Sequence, residues 1–140
     1  MASNLFILKT LRLILGDQLN PKHTWFQQVD PQVTYLMCEM RQETDYALHH
    51  VQKVLAFFLA MRRFAEQMTA QGHQFIYYSL DDPRNRQDLI KNIEELIQIQ
   101  GFQSFGYQWP DEYRLDRQLK NWCDQQSIPV TVEDTQHFLT

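Results

Sequence analysis

The stretch LRLILGDQLN, residues 11–20, decides how the rest of this chain is interpreted. Five residues typical of a buried strand run into Gly16, and the polar pair Asp17-Gln18 follows at once. In open α/β sheets, ligands bind in the crevice outside the carboxyl ends of the strands. The stretch therefore predicts a first strand, 11–15, that opens onto a ligand-binding loop.

The remainder of the chain alternates strand-like and helix-like segments. Strands are predicted at 33–38, 73–80, 105–109 and 128–132, and helices at 46–71, 85–100 and 111–126. This alternation favours a parallel sheet with helices on both faces. We predict an α/β fold, a Rossmann-like doubly wound three-layer sandwich with a five-stranded parallel sheet and strand 11–15 at its centre. The predicted core includes Leu13, Leu15, Leu36, Phe58 and Met61.

Composition narrows the class of protein. A chain of 140 residues suits one domain with its own core. Its net charge of −4 provides no basic surface for nucleic acid. Cys38 and Cys123 belong to no paired motif, which indicates free thiols. With no apolar run long enough for a membrane span and no leader-like start, we expect a cytoplasmic protein.

Motifs of generic chemistry are weak in this sequence. There is no GxGxxG fingerprint, no phosphate-binding Walker loop and no nucleophile elbow. His49 and His50 are adjacent, so they do not share a helix face as a metal-binding pair would. The aromatic pair Trp25-Phe26 is interpreted as a lid packed on the domain, with a ring contact to a flat ligand as the alternative. We predict neither catalytic nor metal-binding residues.

Glu39 ends the second predicted strand, at the same sheet edge as Gly16. A carboxylate at the end of a buried strand is costly unless it is paired or meets solvent in a cleft. It is either a solvated strand end or a polar group in a ligand crevice. The long predicted helix begins just beyond it, with Tyr46, His49 and Lys53 in its first two turns.

Three blocks of sequence resemble one family. They are LILGDQL at 13–19; Glu39 followed by Tyr46, His49-His50, Lys53 and FFLAMRRFA at 57–65; and YYSLDD at 77–82 followed by Asn85. Together they resemble the deoxyribodipyrimidine photolyase-related proteins, the iron–sulfur branch of the photolyases and cryptochromes. The likeness covers nearly the whole chain.

The resemblance implies a function. Residues 1–140 would be the single N-terminal photolyase-like α/β domain, which binds an antenna chromophore of the ribityllumazine type. FAD, the 4Fe-4S cluster and the DNA groove would belong to a C-terminal helical region that is absent from this chain. The full-length protein would perform light-driven DNA repair or blue-light sensing. The partners would be a small-molecule chromophore and that helical domain, with no nucleic acid bound by these residues alone and no membrane.

The predicted cofactor-binding residues are Gly16, Asp17, Gln18, Leu19, Glu39, Tyr46, His49 and Lys53. They are expected to line one crevice, where Asp17 or Glu39 accepts a hydrogen bond from a ring N–H and Tyr46 and His49 flank the ring or its tail. Two alternatives stay open. One is a stand-alone nucleotide-binding domain with adenosine in the same crevice. The other is a protein-docking module that uses Trp25, Phe26 and the long helix.

Overall fold

The structure, a computed structural model, describes residues 8–41 and 51–136. Within these residues it has five strands: β1 Thr10–Leu13, β2 Val33–Cys38, β3 Gln74–Tyr78, β4 Ser104–Gln108 and β5 Val130–Glu133. It has three α-helices: α1 Val51–Ala70, α2 Leu89–Gln100 and α3 Tyr113–Asp124. A short 3-10 turn, Thr24–Phe26, lies between β1 and β2.

The strands form one parallel sheet in the order β3-β2-β1-β4-β5. The predicted α/β Rossmann-like fold, with β1 at the centre, is confirmed. The chain leaves β1 toward one edge of the sheet and later returns to β4 on the other side of β1. Because the direction of winding reverses there, the crevice expected of a doubly wound sheet lies between the carboxyl ends of β1 and β4.

Two apolar layers cover the two faces of the sheet. One contains α1 and the β1–β2 connection, where Trp25 and Phe26 are buried beside Tyr35 and Met61. The interpretation of the aromatic pair as a packed lid is therefore confirmed. The other layer contains α2 and α3, which bury Ile93 and Leu119 among its largest side chains. Helices on both faces follow from right-handed crossovers that run in opposite directions along the sheet.

The first strand ends two residues earlier than predicted. Ile14 still donates its N–H to Leu36 across the sheet, but the N–H of Leu15 is taken by the side chain of Gln18 at 3.0 Å. A side chain from the following loop thus replaces the strand partner. Leu15 is consequently only half-buried, whereas the other four predicted core residues are buried.

The start of the second helix also differs from the prediction. Asp88, not Asn85, caps α2 by accepting a hydrogen bond from the N–H of Lys91 at 3.2 Å. Asn85 instead donates its side-chain amide to the carbonyls of Glu39 and Ser79, at 2.8 and 3.1 Å. Asn85 therefore joins two strand ends rather than starting a helix.

Two further expectations concern the cysteines and membranes. Both cysteines are free, and burial raises the pKa of the Cys38 thiol to about 12, so this thiol stays protonated at neutral pH. Within residues 8–41 and 51–136, none of the helices combines the length and the hydropathy that crossing a bilayer requires.

Candidate functional site

Glu39 follows the last residue of β2 and has no exposed surface. Arg62 of α1 donates to both of its carboxylate oxygens, at 2.7 and 3.0 Å. The hydroxyl of Tyr77 and the N–H of Leu80 add bonds of 2.6 and 3.1 Å. Both oxygens are thus bonded twice within the described chain, which is how a buried carboxylate is retained in a fold.

These bonds also set the charge state of the site. Burial opposes ionisation of Glu39, but the hydrogen bonds from Arg62 and Tyr77 outweigh burial and lower the pKa of the carboxyl group. The pKa of Tyr77 is raised, first by its own burial and then by the neighbouring carboxylate. At neutral pH the end of β2 therefore holds the Glu39 carboxylate, the Arg62 guanidinium and the protonated phenol of Tyr77.

Gly16 is required by packing. A Cβ atom at this position would lie 2.5 Å from the ring of Phe57 and 3.0 Å from the sulfur of Met61, both on α1. A side chain at this position fits only if the ring of Phe57 moves away. The close approach at Gly16 is thus made to side chains of α1, and its predicted contact with a ligand stays a prediction.

Gln18 is 2% exposed, and its amide is fully used. Its Oε1 accepts from the N–H of Leu15, and its Nε2 donates to the carbonyls of Gln108 and Trp109 at 3.2 and 3.3 Å. The side chain therefore ties the loop after β1 to the end of β4, across the point where the winding of the sheet reverses.

A cavity of about 200 Å³ opens at the carboxyl ends of β1 and β2. Its lining comes from both strand ends, from the first turn of α2 and from α3, and comprises Leu13–Gly16, Cys38, Met40, Gln87–Ile90, Leu115 and Gln118. Most of the lining residues are apolar, polar atoms provide about half of the surface that faces the cavity, and the N-terminus of α2 lies at its edge. The arrangement suits a flat apolar group with a polar rim.

Gln87 supports the wall of this cavity in a left-handed conformation, with φ of 57°. Its side chain accepts from the N–H of Arg41 at 2.7 Å and donates to the carbonyl of Glu39 at 3.2 Å. Conformations of this kind cost free energy in residues other than glycine and are enriched at binding sites. The hydrogen bonds to the end of β2 hold the residue there.

The structure brings together only part of the predicted site. Gly16 lines the cavity, Asp17 is exposed at the loop tip, and Leu19 packs against the α1 layer. Lys53 is exposed on α1, which covers the opposite face of the sheet from α2 and α3. Tyr46 and His49 lie outside the described residues, so their place in the crevice stays a prediction.

Sequence reasoning missed Arg62, Tyr77 and the α2 and α3 walls of the cavity. The signal for Arg62 was available, because a buried carboxylate at a strand end requires a cation and two arginines lie on the next helix. The walls gave no such signal, since their side chains are ordinary core residues of amphipathic helices.

These features define an α/β domain with a candidate ligand crevice at the carboxyl edge of its sheet. Comparison with known proteins identifies the class more narrowly. The family model described as deoxyribodipyrimidine photo-lyase-related protein matches residues 12–140. The chain belongs to this family.

One curated relative is much longer than this chain. A (6-4) photolyase of Agrobacterium fabrum (strain C58 / ATCC 33970) is 30% identical over 134 residues, which are 95% of this chain and 26% of that protein. The chain thus spans about a quarter of the length of the curated relative it matches.

Proposed function

We propose that this chain is the antenna-chromophore-binding domain of a photolyase- or cryptochrome-related flavoprotein, with a ribityllumazine-type ligand. Family membership supports the class of protein. The observation that carries the ligand proposal is the cavity at the carboxyl ends of β1 and β2, lined by apolar side chains and closed by the first turn of α2. This edge is where doubly wound sheets bind flat cofactors.

The residues of the cavity fit the ring of such a molecule. Leu13, Leu15, Met40, Leu89 and Leu115 provide apolar contact for a flat heterocycle. The volume, about 200 Å³, is below the range of about 300–1,000 Å³ that is usual for ligand pockets. We therefore expect the ring to enter the cavity and the ribityl tail to extend beyond it.

When bound, the chromophore would absorb light and pass the excitation energy to a second pigment. Such transfer needs a fixed distance and orientation, so the chain has only to bind and hold the ring. The Glu39–Arg62 ion pair and the bonds of Gln87 make the end of β2 rigid next to the cavity. The raised pKa of the Cys38 thiol keeps this cavity-lining sulfur uncharged.

Titration with a ribityllumazine, followed by its fluorescence, tests this proposal. Leu115→Trp fills the cavity from α3 and should weaken binding at least ten-fold. Ile99→Trp is the matched control, because Ile99 lies on α2 with 78% of its surface exposed. If the parent protein does not bind the lumazine, or if Leu115→Trp binds as tightly as the parent, the proposed site is wrong. Binding of AMP or ATP in its place would favour the nucleotide-binding alternative.

Glu39→Gln tests the predicted role of this carboxylate as a ligand anchor. Glu39 does not line the cavity and its carboxylate already accepts four hydrogen bonds, so a ring N–H has to replace one of them. If the carboxylate anchors the ligand in this way, the substitution should weaken binding about 10- to 100-fold, the equivalent of about 1.5–3 kcal/mol. Equal affinities would leave Glu39 as the ion-pair partner of Arg62 alone.

For the full-length protein, we propose FAD and a 4Fe-4S cluster in the part that this chain does not cover, and light-driven DNA repair or blue-light signalling as its activity. The name of the relative, a (6-4) photolyase, supports the repair alternative. The net charge of −4 leads us to expect that these 140 residues alone bind no duplex at physiological salt. Salt-sensitive binding of a lesion-bearing duplex in an anisotropy assay would contradict this expectation.

A further inference from the structure

Gln108, the last residue of β4, is 1% exposed, yet its side-chain Nε2 and Oε1 have no hydrogen-bond partner within the described part of the chain. Its side chain points to the same face of the sheet as that of position 106, because side chains alternate along a strand. A Cβ atom at Gly106 would lie near Arg12 and Thr131. Arg12 in turn stacks on the ring of Trp25, so this face is the one covered by the loop after β1.

That loop closes over the end of β4. Near its start, Gln18 donates to the carbonyls of Gln108 and Trp109. Farther along, the ring of His23 donates from Nε2 to the carbonyl of Asp134, at 2.7 Å, just beyond the end of β5. Since β4 lies between β1 and β5 in the sheet, a loop with both contacts must pass across β4.

The polar side chains of the loop over Gln108, those of Gln18 and His23, already form hydrogen bonds with other groups. The amide of Gln18 uses its oxygen on Leu15 and its nitrogen on two carbonyls. The ring of His23 accepts the N–H of Trp25 at Nδ1 and uses Nε2 on Asp134. Neither side chain can turn toward Gln108 without breaking a bond that holds the loop.

Buried amides in folded proteins nearly always have partners. Gln108 requires an acceptor for its N–H groups and a donor for its carbonyl oxygen at once. Water meets both needs, and internal waters typically make about three bonds to buried polar groups that lack other partners.

We propose that Gln108 binds an internal water molecule at the end of β4, beneath the loop after β1. Gln108 is then a positioning residue, acting together with Gln18 to hold the loop that carries Gly16 and Asp17. The inference concerns a site separate from the chromophore cavity and does not depend on what that cavity binds.

Gln108→Met tests the proposal, because methionine has a similar length and no amide. If Gln108 binds water, the variant loses those bonds and its melting temperature should fall by about 3 °C or more. If the amide is unpartnered, removing it relieves a desolvation cost and the melting temperature should rise. An unchanged or raised melting temperature therefore overturns the proposal.

Two control variants show how large a change in melting temperature a bonded buried glutamine and an exposed glutamine each produce. Gln18→Met must lower the melting temperature in either case, because the amide of Gln18 is fully bonded in the structure. Gln67→Met changes an exposed glutamine of α1 and should leave the melting temperature within about 1 °C of the parent.

A measurement on the unaltered protein decides the matter if Gln108→Met fails to fold. The side-chain NH₂ protons of Gln108 should show a cross-peak with a long-lived water in rotating-frame NMR spectra. Those of exposed Gln67 should show only exchange with bulk solvent. Absence of the Gln108 cross-peak would refute the internal water.

Discussion

Two strands of this sheet end in buried polar side chains, and the two corners differ in how these side chains are bonded. After β2, Glu39 accepts four hydrogen bonds, and two of them come from a cation on the neighbouring helix. At the end of β4, the side chain of Gln108 is equally buried and finds no partner among the described residues. The bonds of Glu39 are complete within the described residues, whereas for Gln108 we propose that an internal water supplies the missing partner.

The difference shows how far a local pattern can be interpreted. A polar residue that ends an apolar strand indicates a special position, but its role depends on which element packs above it. Over Glu39 lies a helix that supplies a guanidinium. Over Gln108 lies a loop whose own polar groups are bonded elsewhere. Buried polar groups are costly only when they lack partners, so the two corners should respond differently to substitution.

Phe58→Ala provides the scale for this comparison and has the largest expected effect. Phe58 is 6% exposed and lies on α1, the helix that also carries Arg62. Truncating a buried phenylalanine costs about 3–5 kcal/mol in the free energy of unfolding. Urea denaturation measures this loss, and a value below about 1 kcal/mol would mean that this face of α1 does not form the core.

Arg62→Met should have the next largest effect, because it leaves the Glu39 carboxylate buried without its cation. Breaking a buried ion pair costs about 3–5 kcal/mol, and we expect about 2–3 kcal/mol because half of the Arg62 side chain is exposed.

Arg63→Met is the matched control for Arg62→Met. Its side chain is exposed and forms no ion pair with the other described residues, so its effect should stay within about 0.5 kcal/mol. Similar losses for both variants would mean that the ion pair is not a main source of stability.

The architecture of the sheet could be predicted because apolar periodicity marks each element. Gly16 stands where the first strand gives way to its loop, and Gly101 ends α2 in the left-handed conformation, with φ of 71°. Element ends were less predictable, since they depend on which side chains bond the backbone groups at the end of a strand or helix. The N–H of Leu15 leaves the sheet because Gln18 takes it, and no propensity of residues 11–15 encodes that bond.

The candidate site was less predictable than the fold. Glu39 could be singled out because a carboxylate rarely ends a buried strand without a reason. That Arg62 and Tyr77 would bond it depends on the packing of α1 and on the register of β3 beside β2. The cavity walls come from α2 and α3, whose inward residues resemble those of any core helix. Predictions for Tyr46 and His49 lie outside the described residues.

Tyr77→Phe removes one of the four bonds to Glu39 and keeps the ion pair. A hydrogen bond to a charged group contributes about 1.5–3 kcal/mol, and we expect the lower end because three bonds to the carboxylate remain. The loss should be present at neutral pH and should shrink as the pH falls. The folded-state pKa of Glu39 is lowered, so its contribution is complete above its unfolded value of about 4.3 and is lost as the pH falls through the lower folded-state pKa. A loss of stability that does not shrink down to the lowest pH at which both proteins still fold would show that the bond to the carboxylate is not its cause.

The smallest expected effect concerns His23, which holds the loop over the Gln108 corner. Burial lowers the pKa of His23, and its Nδ1 already accepts the N–H of Trp25 at 3.0 Å. Protonation would place a charge in a buried site and break that bond, although Glu133 and Asp134 nearby favour the charge and Arg12 opposes it. The unfolded chain therefore takes up a proton first, at a pH of about 6.5, and stability falls as the pH decreases from there toward the lower folded-state pKa. The free energy of unfolding changes by at most about 1.4 kcal/mol per pH unit for one proton.

His23→Gln tests this, because its amide can still donate to Asp134 but does not titrate. In this variant the part of the pH dependence between pH 6.5 and 5 that is due to His23 should disappear. Urea midpoints of both proteins across this range measure the difference, and parallel curves would show that His23 does not control the acid sensitivity of this corner.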